Sequence, residues 1–452
     1  MLQRKIYKQL KLWKNSNSKK ALLITGARQI GKTYIIREFL KENAKSYVEF
    51  NLFENNLAKE AFETCKTADE FIIKLSSLTK TTLIKNETII FIDEIQFANE
   101  IITKVKFLVE DGSYKYIFSG SLLGVEIKNV NSIPVGYMDI LEMFPMDFEE
   151  FAMANNVSQN ILNYLKDCYD KKEKVDPLIH EQMIKLFNLY TAIGGFPEAV
   201  QTYIETNNLQ KVYKVIGEID KGYRVDISKY DKEHRLLIKD IYDLIPSELN
   251  QTNKRFILKN LNEKARFYKY EDSFIWLIDS NVGLFTYNID NPVYPLLASK
   301  ERTLFKLFLC DVGLLTYKLF GDNVIKLLNN DVSINHGALY ECVIAQELKA
   351  KNIPLYYYNN KKHGEVDFII EQDTKIIPIE VKSGKDYKRH LALDNLLSIK
   401  EFNIDQSYTL CNGNLEILGN KIYLPIYMIM FFNKNKENND QIYKIDISKL
   451  TN

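Results

Sequence analysis

Short apolar runs alternate with helix-like stretches of mixed polarity over the first part of the chain, up to about residue 150. Strands of a parallel sheet are buried on both faces, so they appear in a sequence as short, nearly continuous apolar runs separated by helices. The pattern therefore predicts an α/β fold with a parallel sheet. The predicted strands are Ala21–Thr25, Tyr47–Asn51, Thr88–Ile92 and Tyr116–Phe118.

The pattern changes beyond Asp147. It is mostly helical as far as Tyr230, with a break at Gly194 and Gly195. From about His234 to Lys318, short helical patterns precede an extended segment that contains proline, which favours a winged-helix-like unit. After residue 335 the order is helix, three strands, helix and strand, followed by a polar segment, 433–440, that is predicted as a loop.

Composition and charge narrow the protein class. Of the 452 residues, 46% are hydrophobic and 26% are charged, which is ordinary for a globular protein with sizeable cores. The net charge of +1 gives no overall attraction to nucleic acid or to an anionic membrane. The five cysteines form no CxxC pair, and neither a signal peptide nor a membrane-spanning run is visible. We expect a cytoplasmic protein with no membrane partner.

One stretch carries a phosphate-binding signature. GARQIGKT is a complete G-x-x-x-x-G-K-[ST] match between an apolar strand and a helical pattern, which is the context this motif requires. Its backbone N–H groups and the helix N-terminus attract phosphate oxygens, the lysine reaches the β- and γ-phosphates, and the threonine can bind Mg²⁺. The predicted ATP-binding residues here are Gly26, Ala27, Arg28, Gln29, Ile30, Gly31, Lys32 and Thr33.

Two later strands end in polar side chains suited to nucleotide chemistry. The run Ile89–Ile92 is followed by Asp93 and Glu94, at the strand end where open α/β sheets bind ligands. We expect Asp93 to hold Mg²⁺ and Glu94 to polarise the attacking water. The next strand ends in FSGS, so Ser119 or Ser121 can contact the γ-phosphate or the water, or simply form a turn.

A second set of charged residues lies near the C-terminus. Asp367 lies in one strand-like run, and Glu380 and Lys382, which share a face, lie in the next. Two carboxylates and a lysine suit metal-dependent phosphodiester cleavage, and Glu341 on a preceding helix is a candidate third metal ligand. A solvated strand face with alternating charges is the simpler alternative. Nearby basic residues can neutralise phosphates locally, namely Lys361, Lys362, His363, Lys385, Lys388 and Arg389.

The chain resembles one known family. The segments that carry the resemblance are GARQIGKT, IIFIDEIQ, FSGS, PVGY, FPMDFEEF, GGFPEAV, YRVDISKY, LFKLFLCDVGLL, GEVDFII and PIEVKSG. They are similar to prokaryotic AAA+ ATPases with an uncharacterised C-terminal domain of the restriction-endonuclease-like, PD-(D/E)XK type. The resemblance implies a P-loop ATPase core (1–155), a helical lid (156–232), a winged-helix-like region (233–325) and a nuclease-like α/β domain (330–452).

Two hypotheses about function remain open at this point. In the first, ATP hydrolysis with Mg²⁺ is coupled to binding or cleavage of DNA or RNA. In the second, the protein is a nucleotide-controlled signalling or defence switch whose C-terminal domain is a non-catalytic interaction module. Asp367, Glu380 and Lys382 separate the two, because only the first needs them as a metal-dependent catalytic set. A homo-oligomer is compatible with both.

Overall fold

The computed structural model describes residues 2–98, 100–121, 136–230, 234–328, 336–433 and 445. The predicted loop 433–440 lies outside these residues except for Asn433. Within the described ranges, no helix is long and apolar enough to cross a membrane.

The helices and strands of the described residues are as follows. The α-helices are α1 Ile6–Asn15, α2 Lys32–Asn43, α3 Asn56–Glu63, α4 Ala68–Leu78, α5 Glu100–Asp111, α6 Phe148–Ala154, α7 Gln159–Lys171, α8 Pro177–Ile193, α9 Pro197–Thr206, α10 Leu209–Lys229, α11 Arg235–Asn250, α12 Glu271–Asp279, α13 Val312–Phe320, α14 Val324–Leu328, α15 His336–Ala350 and α16 Leu391–Leu397. The strands are β1 Ala21–Thr25, β2 Ser46–Asn51, β3 Thr88–Asp93, β4 Lys115–Ser119, β5 Met138–Glu142, β6 Gly283–Ile289, β7 Lys300–Leu309, β8 Tyr356–Asn360, β9 Gly364–Gln372, β10 Lys375–Lys382, β11 Ser407–Cys411, β12 Glu416–Leu418 and β13 Lys421–Pro425.

The first five strands form a parallel sheet in the order β2-β3-β4-β1-β5. Strand β4 lies between β1 and β3, so the polar ends of these three strands are adjacent. The four predicted strands are present, and β5 is an addition. Strand β5 lies at the edge and only its first residue is buried, so it lacks the apolar run by which the inner strands were predicted.

An arginine near the N-terminus fixes the loop after β1. The guanidinium of Arg4 pairs with Glu150 at 3.0 Å and donates to the carbonyls of Ile30 at 3.0 Å and Phe144 at 2.7 Å. Glu150 also belongs to a capping box in which Asp147 starts helix α6. The first residues of the chain therefore tie the loop after β1 to the segment that follows β5.

A close backbone approach joins the sheet to the second half of the chain. The amide of Met146 donates to the carbonyl of Gly195 at 2.7 Å, and the Gly195 amide donates to the Asp311 carboxylate at 2.6 Å. The other Asp311 oxygen accepts from the Leu314 amide at 3.1 Å and caps helix α13. Burial raises the pKa of Asp311 to about 6, although these amide hydrogen bonds favour its ionised form.

The remaining strands form a mixed sheet in the order β12-β13-β11-β10-β9-β8-β6-β7. Strand β6 pairs in parallel with β8 through Tyr287–Ile289 and Tyr356–Tyr358. The hairpin β6–β7, predicted as part of a winged-helix-like unit within 233–325, is thus continuous with the sheet of the C-terminal region. The sequence shows only that an extended segment is present, because a pairing between strands that are about 70 residues apart leaves no local pattern.

The buried apolar side chains of the described residues form three clusters. The largest includes one face of the first sheet, helices α6–α13, helix α15 and one face of the second sheet. The second cluster covers the other face of the first sheet, and the third covers the other face of the second sheet beneath α16. Because the largest cluster is shared, the two sheets are packed through one continuous core.

We predict that Gly195→Ala destabilises the protein. A Cβ atom at this position would lie 2.1 Å from the Met146 carbonyl oxygen, so the backbone junction must move apart. Overpacking of this kind costs about 1–3 kcal/mol, which thermal unfolding followed by circular dichroism would detect.

Gly222→Ala is the matched control. Gly222 lies inside helix α10, and a Cβ atom there has open space within 4 Å. The control should be neutral or stabilising by up to about 1 kcal/mol, because alanine favours helix. Equal melting temperatures for Gly195→Ala and wild type would show that the junction is not a close contact.

Candidate functional site

The loop between β1 and α2 has the backbone of a phosphate-binding loop. Gly26 has φ 135° and Gly31 has φ 87°, backbone conformations that residues other than glycine rarely adopt. A Cβ atom on Gly26 would also lie 2.1 Å from the Met143 carbonyl oxygen. Both glycines of the motif are therefore required by the geometry, and the loop ends where α2 begins, at Lys32.

The lysine of the loop is held inside it. Lys32 is buried, and its ammonium donates to the carbonyls of Gly26 at 3.0 Å and Ala27 at 2.6 Å. Burial lowers its pKa to about 8, against smaller opposing effects of Glu94 and Asp93. A phosphate group beside this ammonium would supply the missing counter-charge and raise the pKa again.

A buried carboxylate connects the three adjacent strand ends. Asp93 accepts a hydrogen bond from the hydroxyl of Thr33 at 2.8 Å, and a second from the hydroxyl of Ser119. The strand order produces this contact, because β4 carries Ser119 between β1 and β3. Ser121 is also buried, two residues further on. The Thr33 hydroxyl and the Asp93 carboxylate are hard oxygen donors, so this pair fits Mg²⁺.

Glu94 has an unusual backbone conformation. Its φ is 56°, in the left-handed region, which costs a non-glycine residue about 1–3 kcal/mol and is frequent at functional sites. The turn follows β3 directly, and the side chain accepts a hydrogen bond from Gln96. Burial is the main reason that the pKa of Glu94 is raised, with a smaller contribution from Asp93, while Gln96 opposes the shift.

The predicted C-terminal residues lie around the neighbouring strands β9 and β10. Asp367 accepts a hydrogen bond from the Val381 amide at 2.8 Å, and Lys382 pairs with Glu380 at 2.6 Å. Burial, followed by repulsion from Glu341 and Glu380, raises the pKa of Asp367 well above its usual range. Burial also raises the pKa of Glu380, although Lys382 opposes this effect.

Glu341, the proposed third metal ligand, is held by two lysines. Lys254 pairs with one of its oxygens and Lys306 with the other, at 3.1 Å. Burial opposes ionisation of Glu341, but the two ammonium groups outweigh it and bring its pKa to about 2. Among the described residues, no group of three or more His, Cys, Asp or Glu side chains is placed to hold a metal ion. The predicted set of Glu341, Asp367 and Glu380 therefore does not fit a shared metal in this conformation.

Comparison with protein families divides the chain into three segments. Residues 18–152 match the family described as AAA domain. Residues 184–323 and 336–429 match two further families, each described as a domain of unknown function, DUF8612 and DUF4143. The first match covers the loop, Asp93, Glu94 and both serines. Residues 18–152 form an AAA-type P-loop ATPase domain.

Solved structures resemble the chain only distantly. A Walker-type ATPase of Pyrococcus abyssi is 14% identical with a TM-score of 0.43, covering 70% of this chain and 96% of that one. Cdc6p of Pyrobaculum aerophilum is 12% identical with a TM-score of 0.25, covering 73% and 96%. A RuvB variant of Thermotoga maritima is 13% identical with a TM-score of 0.28, covering 62% and 87%. The comparison with curated proteins found no match.

Two contacts of the ATPase domain with helix α10 were missed from sequence. Arg28, inside the P-loop, pairs with Asp226 at 2.6 Å, and the Tyr223 hydroxyl donates to the Arg28 carbonyl at 3.1 Å. The segment YRVDISKY contains both partners, but nothing in it indicates where they bind.

The two lysines that pair with Glu341, Lys306 and Lys254, were also missed from sequence. The available signal for Lys306 was a lysine within the apolar strand LFKLFL, since buried lysines are rare unless they are paired.

We predict that Lys32→Ala weakens ATP binding by about 10- to 100-fold, because the charged hydrogen bonds to the phosphates are lost. Titration calorimetry with ATP and Mg²⁺ measures the change. Lys41→Ala is the matched control on the same helix, since Lys41 is exposed and pairs only with Glu38 among the described ion pairs. Unchanged affinity in Lys32→Ala would contradict the P-loop assignment.

We predict that Glu94→Gln binds ATP normally but hydrolyses it about 100-fold more slowly, because the amide cannot accept a proton from water. Phosphate release in steady state measures turnover, and titration calorimetry checks binding. The raised pKa of Glu94 also predicts the direction of the pH dependence. Wild-type turnover should fall as the pH drops, because the carboxylate becomes protonated and can no longer accept a proton. Wild-type turnover in the variant would exclude Glu94 as the base.

Proposed function

We propose that this protein is an ATP-hydrolysing switch that transmits the nucleotide state of its AAA-type domain to the C-terminal half. The observation that carries the proposal is the network at the strand ends, where Asp93 binds both Thr33 and Ser119 beside the P-loop lysine. This arrangement joins the phosphate-binding loop, the candidate Mg²⁺ ligands and a serine that would contact the γ-phosphate.

The roles of the residues follow from their chemistry. Lys32 and the loop amides would bind the β- and γ-phosphates, and Thr33 and Asp93 would hold Mg²⁺, which neutralises charge on the phosphates. Glu94 would accept the proton of the attacking water while Ser119 or Ser121 orients it. The raised pKa of Glu94 suits a group that takes up a proton during the reaction.

A cavity beside the P-loop has room for the rest of the nucleotide. It has a volume of about 540 Å³ and adjoins the loop and the first turn of α2. Its polar wall comes from helix α9, and the residues that line it include Gly31, Tyr34, Pro197, Glu198 and Gln201. The base and ribose would enter here, so helix α9 would contact the nucleotide, as a lid does.

Two routes would carry the nucleotide state outward. On one, Gly26 touches the Met143 carbonyl, and the same segment binds Gly195 through Met146. On the other, Arg28 in the loop pairs with Asp226 on helix α10. A γ-phosphate that attracts Arg28 would compete with Asp226 for the guanidinium. Nucleotide binding would then alter the contact between the loop and α10.

Binding of DNA or RNA by the C-terminal region is a second candidate, within the nuclease-like fold that the family resemblance implies. The observation in its favour is a set of exposed basic residues near β9 and β10, namely Lys361, Lys362, Lys385, Lys388 and Arg389. Lys388 also pairs with Glu416. Such a set can bind phosphates without cleaving them.

Hydrogen–deuterium exchange tests the switch. We expect ATP bound to Glu94→Gln, compared with ADP, to change exchange in the segments around Gly195 and Asp311. Lys32→Ala under the same conditions is the control and should show no change. Full ATP binding without any change at either segment would exclude transmission through this junction.

The same exchange measurement with a short DNA or RNA duplex or single strand tests the second candidate, which predicts protection of the segment 383–389.

A further inference from the structure

A fully buried lysine occupies the centre of the C-terminal carboxylate cluster. Lys306 lies on β7, and its ammonium is 2.7 Å from Glu365, 3.1 Å from Glu341 and 3.8 Å from Asp367. The Lys306 ammonium therefore lies within ion-pair distance of three carboxylates.

Two further ammonium groups complete the cluster. Lys254 pairs with Glu341, and Lys382 pairs with Glu380 at 2.6 Å. Four carboxylates thus lie among three lysines. The cluster is close to electrically balanced by the side chains of the chain itself.

The position of Lys306 is set by the strands around it. The backbone of Lys306 pairs with Thr286 of β6 on one side and forms an isolated β-bridge with Arg255 on the other. Its ammonium also lies 5.1 Å from the centre of the Tyr357 ring. The backbone of Lys306 is thus paired on both sides, which fixes the point from which its side chain enters the cluster.

We propose that the Lys306 ammonium is the resident cation of this cluster, and that it takes the place that a divalent metal would have in a metal-dependent nuclease. Mg²⁺ needs several oxygen ligands at about 2.0–2.1 Å, whereas the oxygens of Glu341 and Glu365 are already directed at an ammonium. A divalent ion bound to the same carboxylates would also be repelled by Lys306. The cluster consequently joins β7, α15 and the strands β9 and β10 through ion pairs and a hydrogen bond, without a metal.

One atom makes the proposal easy to test. Among the described residues, Glu380 Oε2 is a buried carboxylate oxygen without a hydrogen-bond partner, so it is free to become a ligand of any metal that does enter. Asp367 is also buried, and its carboxylate is repelled by that of Glu380. Removal of either carboxylate should therefore abolish a metal site here if one exists.

The first experiment measures Mn²⁺ binding to the full chain by electron paramagnetic resonance, without nucleotide. All proteins carry Asp93→Asn, which removes a ligand of the candidate metal site in the ATPase domain. We expect the amount of bound Mn²⁺ to be the same with and without Asp367→Asn, and with and without Glu380→Gln. A bound Mn²⁺ that is lost in both Asp367→Asn and Glu380→Gln would overturn the proposal.

The second experiment tests the charge of Lys306 itself. Lys306→Met keeps an unbranched side chain of similar length but leaves Glu341 and Glu365 without their central cation. We therefore expect the melting temperature to fall by about 5 °C or more. The matched control is Lys362→Met, at an exposed position, which should melt like wild type. Equal melting temperatures for both variants would overturn the proposal. If Lys306→Met does not fold, the Mn²⁺ measurement still decides, because it uses proteins that retain Lys306.

Discussion

The hydrogen bond from the Gly195 amide to the buried Asp311 carboxylate joins the two halves of the molecule. Gly195 also accepts a hydrogen bond from Met146, in the segment that leaves the first sheet, while Asp311 starts helix α13. A side chain at Gly195 would separate these segments, and an isolated buried carboxylate would be costly without its amide donors. The shared apolar core on both sides of this junction depends on the segments remaining this close.

The same segment supports the nucleotide site from behind. The Met143 amide donates to Thr25 at 2.9 Å, and its carbonyl lies against Gly26 at the start of the P-loop. Arg4 ties the Ile30 carbonyl to this region as well. The backbone of the loop is consequently held by the segment after β5 and by the Arg4 side chain. A loop fixed in this way offers its amides in a preorganised arrangement, which is the main requirement for stabilising charge on a phosphate.

Charge balance distinguishes the two carboxylate sites of the protein. In the ATPase domain, Asp93 and Glu94 lie near the buried ammonium of Lys32, whose pKa burial lowers to about 8 because these carboxylates only partly oppose the effect. In the C-terminal carboxylate cluster, Glu341, Glu365 and Glu380 each pair with at least one lysine, and the pKa of Lys306 is raised. A site of the first kind gains from an added phosphate and Mg²⁺, whereas a site of the second kind already holds its own cations.

The sequence by itself determined the features that depend on neighbouring residues. The P-loop, the strand before Asp93 and the helices after residue 147 follow from local motifs and periodicity, because backbone conformation and burial of one face leave a short-range pattern. Tertiary structure alone decided the rest. It paired β6 with β8, placed Lys306 among carboxylates of α15 and β9, and brought Asp226 to Arg28. These contacts join residues that are tens to hundreds of positions apart, and neither hydrogen-bond pairing between distant strands nor the partner of a buried charge is encoded in the spacing of residues along the chain.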